Sequence, residues 1–152
     1  MIYKVQLKDL IIRTLKAIDL HSDDAVNLLM GTAAQESALG YYLRQLNNAP
    51  ALSIFQIEPF TFNDHVKYLK RYKMNLANKI LEFSGASEFK AEFLEFNIAF
   101  ACAIARVHYL RKPGKLPNTI DGYARYWKKH YNTYLGKGTE IEFISNYKRY
   151  VL

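Results

Sequence analysis

Carboxylates are the side chains of this sequence best suited to chemistry, and Glu36 stands apart among them. The chain has 14 acidic residues, and most of the others lie beside basic residues or at predicted helix starts. Glu36 instead lies within Gly31–Gly40, where the neighbouring residues are small or uncharged. A carboxyl in an apolar, partly desolvated place has a raised pKa, so it can stay protonated near neutral pH and act as a general acid. The alternative is a solvated glutamate near a helix end, which the local pattern by itself favours.

Metal, nucleophile and phosphate chemistry have little support in the sequence. The four histidines, His21, His65, His108 and His130, never pair at the spacing of three or four residues that a metal-binding helix needs. The single cysteine, Cys102, lies in an apolar stretch, where a thiol is usually an inert, buried small side chain. The sequence has neither a G-x-S-x-G motif nor a glycine-rich phosphate loop. We therefore expect no metal site and no cofactor.

Three further segments follow Glu36-Ser37 in a consistent order. They are Ala51–Pro59 (ALSIFQIEP), a helical segment that begins with Asn97-Ile98 and ends in HYL, and Tyr131–Thr133. This order resembles the lysozyme-like lytic transglycosylases of the soluble-transglycosylase and goose-type lysozyme group. Members of that group have a Glu-Ser pair at a helix end and, about twenty residues later, a G-L-M-Q-[IL]-x-P segment. An N-I-x-x-G-x-x-Y-L helix and a Y-N-A-G segment follow.

The resemblance covers roughly residues 20–136 and implies a role for each matching residue. Glu36 matches the catalytic acid, and Ser37 matches the serine that helps to hold the turn. The segment that lines the sugar cleft through its backbone and its glutamine is matched by Ser53, Ile54, Phe55 and Gln56. Tyr131, followed by Asn132, matches the tyrosine that approaches the acid.

Several positions depart from the pattern of this group. Ser53 stands where the group has glycine, Thr133-Tyr134 replaces Ala-Gly, and Ala103 or Ala105 replaces the helix glycine. The departures concern sugar binding more than the acid. They indicate a divergent branch, of the kind that bacteriophages carry.

The resemblance implies cleavage of peptidoglycan between N-acetylmuramic acid and N-acetylglucosamine. In a lysozyme a second carboxylate assists, whereas in a lytic transglycosylase the same glutamate turns base and a 1,6-anhydro product forms. The candidate second carboxylates are Glu58, Asp64 and Asp121. Glu58 lies beside Gln56 but is more typical of an exposed loop charge, and the other two suit helix starts. No second acid stands out, so the transglycosylase route is slightly favoured.

Length and charge are compatible with this function and with two others. The chain has 152 residues, half of them hydrophobic, which suits one domain over 1–152 and excludes disorder as its main state. Its net charge of +7 would attract anionic wall polymers or an outer-membrane surface. An inactive lysozyme-like protein of a virion or the wall would explain these features too. A nucleic-acid-binding module would use the basic, aromatic C-terminal region, from Tyr123 to Arg149. The aromatics between Tyr123 and Tyr134 are more typical of a helix face. We expect no nucleic-acid partner.

The N-terminal segment has no secretion signal, because lysines and Asp9 interrupt its apolar residues. We expect synthesis in a host cytoplasm and action on the bacterial wall, either as an endolysin released through another protein or as part of a virion. A monomer is expected unless the chain assembles into a virion.

The elements that must position these residues are predicted to be mainly helical, giving a lysozyme-like single domain with a long buried central helix and little or no β-structure. Ser22 is expected to cap a helix that stops at Gly40, which places Glu36 near its C-terminal end. Residues 52–57 alternate like a short strand, although the resemblance favours an irregular turn or a short helix. The remaining predicted helices span 7–19, 62–72, 75–83 (closed by Gly85), 88–111 (capped by Ser87), 118–131 (capped by Asn118) and 140–150 (opened by a Thr139–Glu142 capping box).

Overall fold

Eight α-helices and one π-helical turn form the protein in a computed structural model that describes residues 1–152. The mainly helical class is confirmed, and the few β-bridges are isolated ones outside any strand. None of the helices is long and apolar enough to cross a membrane. The helices are α1 Lys4–Ala17, α2 Asp23–Ser37, α3 Pro59–Tyr72, α4 Met74–Ser84, α5 Phe93–Phe96, α6 Ile98–Leu110, α7 Ile120–Trp127 and α8 Glu140–Tyr150, and the π-helical turn Lys128–Asn132 continues α7.

Helix α6 is the buried central helix, but it is shorter than the predicted helix over 88–111. It packs against α1, α2, α3, α4 and α5, and it contributes to one contiguous cluster of 33 buried residues. Asn97 interrupts the predicted helix. Its side chain accepts a hydrogen bond from Phe100 N (3.0 Å) and donates one to Ser84 O (2.9 Å), which starts a new helix there. Ser87 caps nothing, and only the single turn α5 precedes the break.

Local capping chemistry explains most of the other helix ends. Ser22 accepts from Ala25 N at the start of α2, and the Thr139 capping box opens α8, as predicted. The expected cap at Asn118 is wrong by one residue, because Thr119 accepts from Gly122 N (3.0 Å). Helix α3 begins earlier than predicted because Pro59 suits the first helical position. Helix α1 likewise spans 4–17 rather than 7–19.

Helix α8 packs closely across α2 and supports the helix that carries Glu36. A Cβ atom at Gly31 would lie 2.4 Å from Phe143 Cζ and 2.8 Å from Tyr147 Cδ2, so only glycine permits this approach. Both aromatic side chains are buried. The middle of α2 is therefore enclosed by protein, and its last turn carries the chain towards the surface.

Candidate functional site

A cleft of about 540 Å³ opens at the C-terminal end of α2. One wall is formed by the end of α2 and by residues 42–58, and the other by α7, the π-helical turn and the loop after it. Both walls contribute polar side chains. Among the lining residues are Gln35, Glu36, Tyr42, Gln56, Glu58, Trp127, Tyr131 and Asn132.

Glu36 lies in the last turn of α2 with its carboxyl at this cleft. Oε1 accepts a hydrogen bond from Trp127 Nε1 (2.8 Å). Oε2 has no partner in the protein and is not buried, so it is free to meet a ligand. Burial raises the pKa of Glu36 to about 7, against the smaller, opposite effect of the Trp127 hydrogen bond. A carboxyl with this pKa can both donate and accept a proton near neutral pH.

Ser37 holds the end of α2 from behind the cleft. Its hydroxyl donates to Ile54 O (2.7 Å) and accepts from Gly40 N (2.9 Å). Ala38 and Leu39 adopt left-handed conformations, so α2 ends at Ser37 and not at Gly40 as predicted. The Ser37 side chain is fully buried and supports the cleft rather than lining it.

Residues 52–57 form a tight turn and not the strand that their alternation suggests. Leu52 and Ile57 exchange two backbone hydrogen bonds, of 2.9 and 2.8 Å. Between them Ser53 (φ 78°) and Gln56 (φ 48°) are left-handed, which an extended strand does not allow. The Ser53 hydroxyl accepts from Phe55 N, and Gln56 Nε2 donates to Ser53 O (2.7 Å).

Within this turn only Gln56 lines the cleft. The side chains of Ser53, Ile54 and Phe55 are buried, at most 1% exposed. The side chains of these three residues are therefore enclosed, which leaves the backbone of the turn and the Gln56 side chain as the parts that a substrate could meet. The enclosed side chains pack beneath the cleft because two apolar side chains there gain more from burial than from exposure.

Tyr131 joins the two walls of the cleft. Its hydroxyl donates to Phe55 O (2.6 Å), and its ring stacks on Tyr109 with centroids 5.3 Å apart. The Tyr109 hydroxyl in turn pairs with Thr32 Oγ1 on α2 (2.8 Å). Burial and the nearby Glu36 charge hold the pKa of Tyr131 well above its usual value. Tyr131 is therefore a neutral neighbour of Glu36.

Asn132 and the loop after it form the rim beside Trp127. Lys128 Nζ donates to Asn132 Oδ1 (2.6 Å) and to Gly136 O (2.9 Å). A Cβ atom at Gly138 would lie 2.6 Å from the Trp127 ring, so this loop packs directly on that side chain. Lys137, which lies between Gly136 and Gly138, is the only cationic side chain that lines the cleft.

Of the three candidate second carboxylates, Glu58 alone lines the cleft. It is exposed, and its side chain does not cap α3. Asp64 is bound by Arg111 (2.8 Å), and this hydrogen bond lowers the pKa of Asp64. Asp121 lies in the first turn of α7, outside the cleft.

Two residues that hydrogen-bond to Glu36 could not be singled out from the sequence. Trp127, grouped with the structural aromatics, donates to the Glu36 carboxyl, and Tyr42 donates to the Glu36 backbone carbonyl (2.8 Å). Trp127 precedes Tyr131 by four residues, which places both on one helix face and is the signal that could have linked them. Nothing in the sequence near Tyr42 indicates its bond.

No family model, curated protein or solved structure matches this chain.

Proposed function

We propose that the protein cleaves peptidoglycan glycan strands at the β-1,4 bond between N-acetylmuramic acid and N-acetylglucosamine, with Glu36 as general acid and base. The observation that carries the proposal is the Glu36 carboxyl itself, which has one free oxygen at an open cleft and a pKa of about 7. Proton transfer is most efficient when the pKa of the acid lies near the working pH. The resemblance to lysozyme-like lytic transglycosylases supplies the substrate class.

In the proposed reaction, Glu36 Oε2 gives its proton to the bridging oxygen as the glycosidic C–O bond breaks. The muramyl C1 then develops oxocarbenium-like charge. Glu36, now ionised, takes the proton of the 6-hydroxyl of the same sugar as that oxygen bonds to C1. A 1,6-anhydro end forms, the acid is restored, and no second carboxylate is needed.

The hydrolytic route is the second outcome that the cleft allows. There Glu58, the other carboxylate of the cleft, would assist the attack of water or form a bond to C1. Glu58 is exposed and its side chain has no hydrogen-bond partner in the protein. A nucleophile or base is usually held by its neighbours, so we favour the transglycosylase route slightly.

Two structural observations at motif positions support the group resemblance. Ser53 stands where the group has glycine, and its φ of 78° is a conformation that glycine adopts freely. Tyr131 lies close enough to Glu36 for the glutamate charge to raise its pKa, as a tyrosine that approaches the acid would.

The nucleic-acid alternative is weakened by the burial of two of its aromatic residues, while Tyr134 is exposed. Tyr123 and Trp127 are 3% and 1% exposed, so their rings are not free to stack on bases. We infer that the +7 charge serves contact with anionic wall polymers or an outer membrane. Production by a bacteriophage, with release to the wall or carriage in a virion, is part of the same proposal.

The test is digestion of purified peptidoglycan, followed by mass spectrometry of the released muropeptides. Wild-type protein should release anhydro-ended products, and Glu36→Gln should release none. Glu58→Gln is the matched control and should still release them. Reducing-ended products that disappear in both variants would establish the hydrolytic route instead. Glycan binding without release of product from any wall type would overturn the enzymatic proposal in favour of an inactive, wall-binding protein.

A further inference from the structure

A pair of histidines lies behind the cleft wall and is not used by the proposed reaction. His65 belongs to α3 and is 4% exposed, and His108 belongs to α6 and is partly buried. His65 Nε2 and His108 Nδ1 are 2.9 Å apart, with the two rings nearly perpendicular. Two partly enclosed imidazoles in direct contact are costly unless each nitrogen has a suitable partner.

The groups at the two ends of this pair determine the direction of every hydrogen bond. Arg111 Nη1 can only donate, so His65 Nδ1 accepts (3.0 Å) and the proton of His65 is on Nε2. His65 Nε2 therefore donates to His108 Nδ1. The remaining proton of His108 is on Nε2, which donates to the His130 carbonyl oxygen (2.6 Å). Both rings are neutral in this arrangement, and Asp64 holds Arg111 from the other side (2.8 Å).

The electrostatics of the two rings agree with the neutral arrangement. Burial lowers the pKa of His65 to about 3 and that of His108 to about 4, and the charges of Arg111 and Lys112 act in the same direction. The chain Arg111–His65–His108–His130 carbonyl is therefore a directed relay, defined here by those four groups.

The relay ends on a carbonyl that would otherwise have no partner. The chain leaves the π-helical turn at Thr133 (φ 66°), so no backbone N–H group reaches His130 O. His108 supplies the missing donor. Its ring also meets the next residue, Tyr131, edge to face with centroids 4.8 Å apart.

We propose that His108, oriented by His65 and Arg111, is a positioning residue that holds Tyr131 and the π-helical turn against the Glu36 wall of the cleft. His108 makes no contact with Glu36 and takes no part in proton transfer. It supplies one hydrogen bond to the turn and one face against which the Tyr131 ring rests. Only the activity test of this role rests on the proposed function.

Ring-nitrogen NMR tests the relay directly in the wild-type protein. Both His65 and His108 should give the spectrum of the neutral tautomer with its proton on Nε2. A proton on Nδ1 of either ring, or a charged ring at neutral pH, would overturn the relay.

Two substitutions of His108 then test the positioning role. His108→Gln places an amide N–H near the position of Nε2 and can still donate to His130 O, whereas His108→Leu cannot. His21→Leu, at an exposed histidine, is the matched control. Thermal unfolding of each variant, monitored by circular dichroism, identifies any variant that fails to fold.

Trp127 gives a readout that needs no substrate, because it is the only tryptophan and bonds to Glu36. Its fluorescence in the wild type should titrate with a midpoint near 7, as Glu36 does. In His108→Leu the loosened turn should admit water to Glu36 and move that midpoint down, and His108→Gln should restore it. An unchanged midpoint in a folded His108→Leu protein would overturn the positioning role.

Activity gives the second readout if the wild type cleaves peptidoglycan. We expect His108→Leu to lower kcat about tenfold with little change in KM, and His108→Gln to recover most of it, because misplaced groups cost rate rather than affinity. Equal activity of His108→Leu and the wild type would contradict the inference. An inactive wild type would end the proposed function and leave the NMR and fluorescence results to decide the relay.

Discussion

Glu36 and Glu58 are two glutamates of one cleft in opposite environments. Glu36 lies in the last turn of α2, accepts a hydrogen bond from Trp127 and has a pKa raised to about 7. Glu58 lies at the end of the same wall, just before α3, and is exposed, with no hydrogen bond to its side chain. The difference shows that enclosure, and not the presence of a carboxylate in a cleft, gives a group the properties of a general acid.

The interior of the cleft and its rim loop differ in the same way. In the interior, Ser37 on the Glu36 wall and Tyr131 and the histidine relay on the facing wall are each held by hydrogen bonds to a neighbouring element. The rim instead exposes Tyr134 and Leu135, at 89% and 81%. A rigid inner wall suits a group that must meet a substrate atom at a set distance.

The largest expected effect is on the pH dependence of stability. In the folded protein Glu36 keeps its proton up to a pKa of about 7, against 4.5 ordinarily. Between these values the unfolded chain has released the proton, so Glu36 stabilises the fold fully below 4.5 and loses that contribution as the pH rises through 7. The shift corresponds to about 3 kcal/mol.

Urea unfolding of matched variants measures this effect. The free energy of unfolding of wild type minus that of Glu36→Gln should fall by about 3 kcal/mol from about pH 4.5 to pH 8. His65 and His108, with lowered pKa values, act in the opposite direction as the pH falls below 6.5, and they cancel in this difference. Glu58→Gln should change the free energy by less than about 0.5 kcal/mol throughout. A flat difference for Glu36→Gln would show that Glu36 is solvated.

Most helices of this fold could be predicted from the sequence, because their signals are local. Ser22, Gly85 and the Thr139–Glu142 box act within one helical turn, and each ends or starts its helix where expected. The prediction of one helix over 88–111 is wrong because the signal that breaks this helix is not local. Asn97 breaks it by bonding to Ser84, a partner that an apolar pattern does not reveal.

The site could be predicted only in part, because its chemistry depends on distant pairs. The assignment of Glu36 as the candidate general acid follows from its neighbours in sequence and from the order of the motifs. Its hydrogen bond comes from Trp127, 91 residues later, and the His65–His108 contact spans 43 residues. The 52–57 turn was ambiguous because alternation does not report left-handed residues such as Ser53.

Two glycine substitutions compare the effect of overpacking in the core with its effect in the cleft wall. Gly31→Ala forces a Cβ into Phe143 and Tyr147, and Gly138→Ala forces one into Trp127. Each should lower the free energy of unfolding by about 1–3 kcal/mol, since overpacking displaces buried side chains. Gly138→Ala should shift the fluorescence titration of Trp127 more than Gly31→Ala, because it displaces the donor to Glu36 directly, whereas Gly31→Ala reaches Trp127 only through Phe143, whose ring centroid lies 5.4 Å from that of Trp127. A shift of equal size in Gly31→Ala would mean that the cleft wall is not an independent unit.

Trp127→Phe tests how much the Trp127 hydrogen bond lowers the pKa of Glu36. Phenylalanine retains most of the buried ring but has no N–H to donate to Oε1. That hydrogen bond favours the charged carboxylate, so its loss should raise the pKa of Glu36 further, by about one unit. Carbon NMR of the Glu36 carboxyl during a pH titration measures this. A lower pKa would mean that water entering beside the smaller ring outweighs the lost bond.

The smallest effect is expected at the rim, where Lys137→Met removes the only cation that lines the cleft. Lys137 is exposed and has no ion-pair partner, so the free energy of unfolding should change by less than about 0.5 kcal/mol. Release of muropeptides should fall by no more than about threefold, because an exposed charge acts weakly through water. A loss as large as that of Glu36→Gln would show that the rim contributes directly to catalysis, and the contrast between the interior of the cleft and its rim would fail.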